Sequence, residues 1–244
     1  MYLVSFNINS IRARIPQLEA IVEQYQPAII GLQETKVQDL EFPIKETHRL
    51  GYETIFHGQK GHYGVALMTN LPIIKTIKGL PGDIEDSQRR LVGAVLQLPS
   101  GDTLTVFNGY FPQGENIVHA SKFPAKRDFY AGLTEVLITE YKNTQHLVVM
   151  GDINVADQDI DIGIGEDNRK RWLKSGKASF QPEEREWLQR LGQFGLTDSY
   201  RKLHPFSEQY SWFDYRSKGF EREPKRGLRI DQILLTKSLL KHCK

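Results

Sequence analysis

Hydrophobic positions fall in short alternating or continuous runs, interrupted by three longer stretches in which they recur at helical spacing. Residues 2–8 alternate well enough for a strand and end in Asn7-Ile8-Asn9. A helix is predicted next, with Pro16 in its first turn and Ile15, Leu18, Ile21, Val22 and Tyr25 on one face, until Pro27 stops it. Residues 28–32 read as a buried strand running into Gln33, Glu34, Thr35 and Lys36. Residues 65–68, 91–96 and 104–109 give three more strands, the last two joined as a hairpin through Pro99, Ser100, Gly101 and Asp102. Phe129, Leu133, Val136, Leu137 and Tyr141 mark a helix over 124–141 that leads into the apolar strand 147–150. A third helix is predicted over 182–194, with Glu183 and Glu184 in its first turn, Trp187, Leu188 and Leu191 inward and Gly195 at its end. Residues 228–236 are strand-like and carry Asp231 among apolar neighbours, where a carboxylate needs a partner.

The candidate chemistry lies where these strands stop. The run at 147–150 ends in Gly151, Asp152 and Asn154, and the period of two puts Asp152 and Asn154 on one face. Converging oxygen ligands suit a hard cation, and an Asx turn explains the same residues. Asn7-Ile8-Asn9 has the same spacing, which hints at two similar halves. If the strands lie near one another, Asn7, Glu34, Asp152 and Asn154 can converge on one crevice. Residues 104–109 deliver Tyr110 and Gln113 at a fourth strand end, Tyr110 being a candidate proton donor. The glycines of 58–64 lack the spacing of a nucleotide fingerprint and read as turn residues. Asp157, Asp159 and Asp161 do not form an EF-hand, because Ile162 and Asn168 occupy the places of its glycine and glutamate.

With 244 residues, 25% charged and 39% hydrophobic, and no Pro/Gly/Ser-rich linker, the chain is expected to form a single α/β domain over 1–244. No apolar run approaches a membrane span and no signal segment is read, so no membrane association is expected. Cys243 is the sole cysteine, which rules out an intrachain disulfide and points to the cytoplasm. The net charge of +2 selects no partner by itself. Its distribution says more. Arg169, Lys170, Arg171, Lys174 and Lys177 surround Trp172, and Arg216, Lys218, Arg222, Lys225, Arg226 and Arg229 form a second cluster. Such clusters hold phosphates or make solvated faces. Residues 210–215, with Trp212 and Phe213, fit either a core strand or a platform that stacks on an extruded base or sugar.

Phe6 to Asn9, Gly31 to Lys36, Gly58 to Leu67, Asn108 to Gly114, Met150 to Asn154, Ser211 to Arg216 and Arg229 to Asp231 together resemble the bacterial exonuclease III family of the exonuclease-endonuclease-phosphatase superfamily, along essentially the whole chain. The resemblance implies a four-layer α/β sandwich of two mixed sheets flanked by helices. It implies an enzyme that cleaves double-stranded DNA 5′ to abasic sites and acts on 3′ ends as a 3′→5′ exodeoxyribonuclease and 3′-phosphatase or phosphodiesterase, working as a monomer. Mg²⁺, with Mn²⁺ as substitute, is the implied cofactor, with Asn7, Glu34, Asp152 and Asn154 at the metal site. Tyr110, Asp152, Asn154 and Asp231 are the implied catalytic residues. Arg90, Gln113 and Lys122 match positions that grip DNA, and Trp212 with Phe213 would line the pocket for the flipped sugar. The family's terminal Ser-Asp-His segment has no counterpart here, so on the resemblance the domain is expected to be incomplete at its C-terminus. The phosphate-binding histidine that pairs with the residue matching Asp231 is then missing, which leaves a non-catalytic abasic-DNA-binding protein as the alternative.

Overall fold

In the computed structural model, which describes residues 1–244, the apolar runs become twelve strands. They are β1 (Leu3–Asn7), β2 (Ile29–Gln33), β3 (Glu53–His57), β4 (Val65–Thr69), β5 (Ile73–Lys78), β6 (Leu91–Gln97), β7 (Thr103–Tyr110), β8 (Leu147–Asp152) and β9 (Leu196–Asp198), the two-residue β10 (Trp212–Phe213) and β11 (Gly227–Leu228), and β12 (Asp231–Thr236). One sheet has the order β1-β2-β4-β3, and the other β5-β6-β7-β8-β12-β9. Each sheet is antiparallel except at one pair, β1 with β2 and β7 with β8. The helices are α1 (Ile15–Tyr25), α2 (Ile44–Arg49), α3 (Lys122–Glu140), α4 (Glu166–Ser175), α5 (Pro182–Phe194), α6 (Ser199–Leu203) and α7 (Lys237–Leu240).

Three apolar layers hold four structural layers together. Leu18 of α1 packs with Ile30, Leu32, Ala66 and Met68 on the outer face of the first sheet. Leu133 and Leu137 of α3 and Trp187 and Leu191 of α5 pack with Phe107, Leu147 and Val149 on the outer face of the second. Ile29, Val65, Leu67, Val106, Val148 and Met150 fill the space between the sheets. β2, β4 and β8 are buried along their whole length because both faces are covered, which is why they read as continuous apolar runs. Each large aliphatic side chain buried in these layers stabilises the fold by roughly 1.5–3 kcal/mol.

Alternation along the strands fixes what happens at their ends. Val148 and Met150 face the opposite sheet, so Asp152 does as well; the same parity carries Val106 to Tyr110 and Ile233 to Asp231. On β1, Val4 and Phe6 pack outward, which turns Asn7 inward. A polar contact between the sheets helps set their register. Asn108, fully buried, donates to the carbonyls of Leu32 and Ala66 at 2.9 Å each and accepts from Gln33 Nε2 at 2.6 Å. Gly31 leaves the room: a Cβ there would lie 2.6 Å from Asn108 Oδ1.

The hairpin, the β7-α3-β8 crossover and helices α1, α3 and α5 stand where periodicity puts them, α3 beginning slightly earlier than residue 124. The expected continuous strand at 228–236 is corrected. β11 pairs with β10, Arg229 and Ile230 belong to no strand, and β12 begins at Asp231; in this break Arg229 reaches Asp161 and Asp198. Arg229 is therefore a buried structural cation and leaves the second basic cluster. No helix is long and apolar enough to cross a membrane.

Candidate active site at the facing strand ends

Asn7 joins the two sheets. Its Nδ2 donates to Glu34 Oε1 at 2.9 Å and to Asp152 Oδ2 at 3.0 Å, so residues from β1, the end of β2 and β8 meet at one point. Asp231 stands opposite Asp152 in the β12–β8 pairing, and Tyr110 opposite Asp152 in the β7–β8 pairing. Asn154 turns back onto this group. Its backbone N–H donates to Asp152 Oδ1 at 3.1 Å and its Nδ2 to the Phe111 carbonyl at 2.9 Å. Thus Asn7, Glu34, Tyr110, Asp152, Asn154 and Asp231 are brought together.

The Asx turn is present, with Asp152 facing the crevice; β8 ends at Asp152 and Asn154 is left-handed, so this turn and not strand parity brings Asn154 to the site. The repeat is real at this scale. Asn9 N–H donates to Asn7 Oδ1 at 3.2 Å just as Asn154 does to Asp152, and Asn9 and Asn154 both have left-handed backbone, with φ of 44° and 54°. Glu34 is left-handed too, at 54°. Such conformations are disfavoured for residues with a Cβ and persist where surroundings over-determine them.

The electrostatics divide the carboxylates. Burial pushes the Glu34 carboxyl up, but hydrogen bonds from Lys36 and Asn7, together with the Lys36 charge 2.8 Å from Oε2, outweigh it and hold it below the usual range. Asp152, buried, goes the other way: burial and the Asp231 carboxylate raise it against the hydrogen bonds from Asn7 and Asn154. Asp231 is raised to about 6 by burial, with Ser211 and Arg229 opposing. Burial and the charges of Glu34 and Asp152 keep the Tyr110 hydroxyl protonated far above its ordinary value. The site therefore offers an ionised carboxylate, proton-accepting carboxylates and a neutral phenol.

No group of three or more His, Cys, Asp or Glu side chains is gathered into a ready-made metal cluster. The donors nevertheless suit a hard divalent cation, since Glu34 and Asp152 present oxygen and the local excess of carboxylate is offset only in part by Lys36. Glu34, partly open to solvent, is the natural anchor.

Of the residues matched to DNA contacts, Gln113 is exposed on the loop after β7 and Lys122 is exposed at the start of α3, paired with Glu115. Trp212 is 36% exposed, and Phe213 packs edge-on against Tyr210 and Phe220. Arg90 is buried, its guanidinium against the rings of both Tyr63 at 4.2 Å and Tyr110 at 4.8 Å, with Nη1 on the Tyr110 carbonyl. Sequence reasoning assigned nothing to Tyr63, Lys36 as a partner of Glu34, or Ser211, whose hydroxyl accepts the backbone N–H groups of Ile230 and Asp231. Lys36 was within reach, two residues from a carboxylate at a strand end. Tyr63 and Ser211 depend on long-range pairing that no local pattern announces.

Residues 4–243 match the Endonuclease/Exonuclease/phosphatase family. The chain belongs to this family. It is 54% identical over 244 residues to Exodeoxyribonuclease III of Haemophilus influenzae, covering all of this chain and 90% of that protein. The family fold is seen in a Neisseria 3′ phosphatase, NExo, solved with a product DNA hairpin: TM-score 0.87, 34% identity, 98% of this chain and 87% of that one. An AP endonuclease from Archaeoglobus fulgidus gives a TM-score of 0.84 with 31% identity, over 99% and 89% of the two chains. These likenesses match the four-layer arrangement, and nucleases of the family are generally dependent on a divalent metal.

Proposed function

We propose that this chain is a divalent-metal-dependent DNA-repair phosphodiesterase. It cleaves duplex DNA 5′ to abasic sites and acts at 3′ ends as a 3′→5′ exodeoxyribonuclease and 3′-phosphatase or phosphodiesterase. The observation that carries the reading is the Asn7 bridge between Glu34 and Asp152 at the facing strand ends, beside Tyr110 and Asp231. Its 54% identity to a Haemophilus exodeoxyribonuclease III supports the same chemistry.

Mg²⁺, with Mn²⁺ as substitute, is the cofactor that would be held by Glu34 with Asn7, Asp152 and Asn154 close by, and it would neutralise charge on the phosphate and the leaving oxygen. Asp152, with its raised proton affinity, accepts a proton from the attacking water and orients it. Asn154, fixed through its backbone N–H and Nδ2, places its remaining amide atoms toward the phosphate. Tyr110, held neutral, donates a hydrogen bond to the phosphate or leaving group. Asp231 sets the charge on Asp152 from across the strand pair. Gln113 and Lys122 hold the DNA strand, Arg90 braces Tyr110 beside it, and Trp212 and Phe213 receive the sugar. A site without a base is the cheapest to extrude, which gives selectivity. The partner is double-stranded DNA bound by a monomer in the cytoplasm.

Incubation of abasic and intact duplexes with the protein and Mg²⁺, at several salt concentrations, tests this. Incision 5′ to the abasic site is expected in the abasic strand alone, any loss from intact strands being confined to their 3′ ends. Salt-sensitive abasic binding without turnover would instead establish the non-catalytic binder.

A further inference from the structure

Lys126 on α3 and Glu184 on α5 are both fully buried, at 0% exposure. Residues of these types rarely lose all solvent without a specific partner, and stability alone does not ask for the pair, because apolar replacements of similar volume are often as stable. Their charged groups meet at 2.5 Å. The other Glu184 oxygen accepts the backbone N–H groups of Ser179 and Gln181, 2.8 Å each. The ammonium's other contacts go to two loops of the site, 2.8 Å to the Asn154 carbonyl and 3.4 Å to the Gln113 carbonyl.

Asn154 is the place where such a hold matters. Its backbone is left-handed, and with its N–H on Asp152 and its Nδ2 on Phe111, the carbonyl is the remaining handle on its orientation. One helical turn along α3, the Tyr130 hydroxyl donates to the Ile153 carbonyl at 2.7 Å, so a single helix face grips two successive peptide units. Gly114 lets the lysine stem pass: a Cβ there would stand 3.0 Å from Lys126 Cδ.

We propose that Lys126, aimed by Glu184, is a positioning residue for phosphodiester cleavage, fixing the Asn154 and Gln113 carbonyls so that the Asn154 carboxamide stays in place beside Asp152. This rests on the nuclease reading of the site. The parent is compared with Glu184→Gln, which keeps the acceptor for Ser179 and Gln181 but turns an amide N–H toward the Lys126 ammonium and so removes its aim, and with the uncharged doubles K126M/E184Q and K126Q/E184Q. K126M/E184Q is expected to melt near the parent and keep its KM on abasic duplex while kcat falls roughly 10²-fold, the scale of an ångström's misplacement. E184Q, its lysine no longer aimed, is expected to lower kcat about tenfold at parental KM, and K126Q/E184Q, with one donor restored, to recover kcat about tenfold over K126M/E184Q. Parental kcat in K126M/E184Q, or a loss lying wholly in KM, overturns the proposal. If K126M/E184Q fails to fold, K126Q/E184Q decides against the parent: lowered kcat at parental KM supports the proposal, and parental kcat overturns it. Absence of cleavage by the parent would sink the nuclease reading instead. The NMR resonance of the Asn154 side-chain amide then decides alone, expected to shift in K126M/E184Q and to move part of the way back in K126Q/E184Q; no shift in K126M/E184Q overturns the proposal.

Discussion

Replacing Asp231 with Asn is expected to make the metal-free protein more stable while abolishing cleavage. Asp231 stands opposite Asp152, and its carboxyl is raised from 3.8 to about 6, chiefly by burial and less by the Glu34 charge. A folded value above the unfolded one means that ionisation works against the fold. The penalty is absent below about 3.8, grows between 3.8 and about 6, and is complete above. A displacement of this size corresponds to roughly 3 kcal/mol. Asp231 is only half-buried by accessible surface, although packed closely by protein atoms, so solvent screening brings the figure to about 1–2 kcal/mol. In a chain of this length each kcal/mol moves Tm by roughly 2–4 °C, so D231N should melt about 2–8 °C above the parent at pH 7.5. Melting curves by circular dichroism in chelator, at pH 7.5 and 4.5, supply the test. The gain should shrink toward zero at the lower pH. A variant no more stable at pH 7.5, or one whose gain ignores pH, refutes the argument that the fold disfavours an ionised Asp231.

Three further outcomes follow from other contacts. Asp161 is fully buried and receives both Arg229 and Arg201, so D161N should lose about 3–5 kcal/mol in a urea titration, as removal of one partner from a buried pair does. Burial raises the Asp161 carboxyl but Arg229 more than compensates; its lowered value means that this stability is complete above the unfolded value of 3.8 and is lost as pH falls through the lower folded one. Trp212→Ala should weaken binding of abasic duplex by about 1–3 kcal/mol in a fluorescence-anisotropy titration, the scale of one stacking platform, while leaving Tm unchanged. Gly31→Ala should cost about 1–3 kcal/mol in the same urea titration, since its Cβ would meet Asn108 Oδ1 at 2.6 Å between the sheets.

The sequence was most legible where local period and long-range position agree. Val148, Met150 and Asp152 share one face by parity alone, and the same parity takes β7 from Val106 to Tyr110. The matching turns at Asn7-Ile8-Asn9 and Asp152-Ile153-Asn154 were visible as a short repeat, and they face each other across the two sheets. Edge strands were harder. β5 has four of its six residues exposed and gives little alternation, and β3 opens on an exposed Glu53. Its partner strand, more than its own pattern, makes β5 a strand. Long-range ion pairs were not legible at all. Arg229 looked like one more surface cation until Asp161, 68 positions earlier, came beside it, and Lys126 and Glu184 are 58 positions apart. The helices that carry them are predictable, but the angle at which two helices meet over a sheet is set by packing and not by either local sequence.

The most direct test of the site at the strand ends is cleavage of a duplex with one abasic site by the parent and by Glu34→Gln, each with Mg²⁺ and with chelator. The parent should cut 5′ to the abasic site only with Mg²⁺, and E34Q should be slower by roughly 10² or more with binding of the duplex retained. Equal rates in parent and E34Q, or cleavage indifferent to chelator, would contradict the assignment of this site.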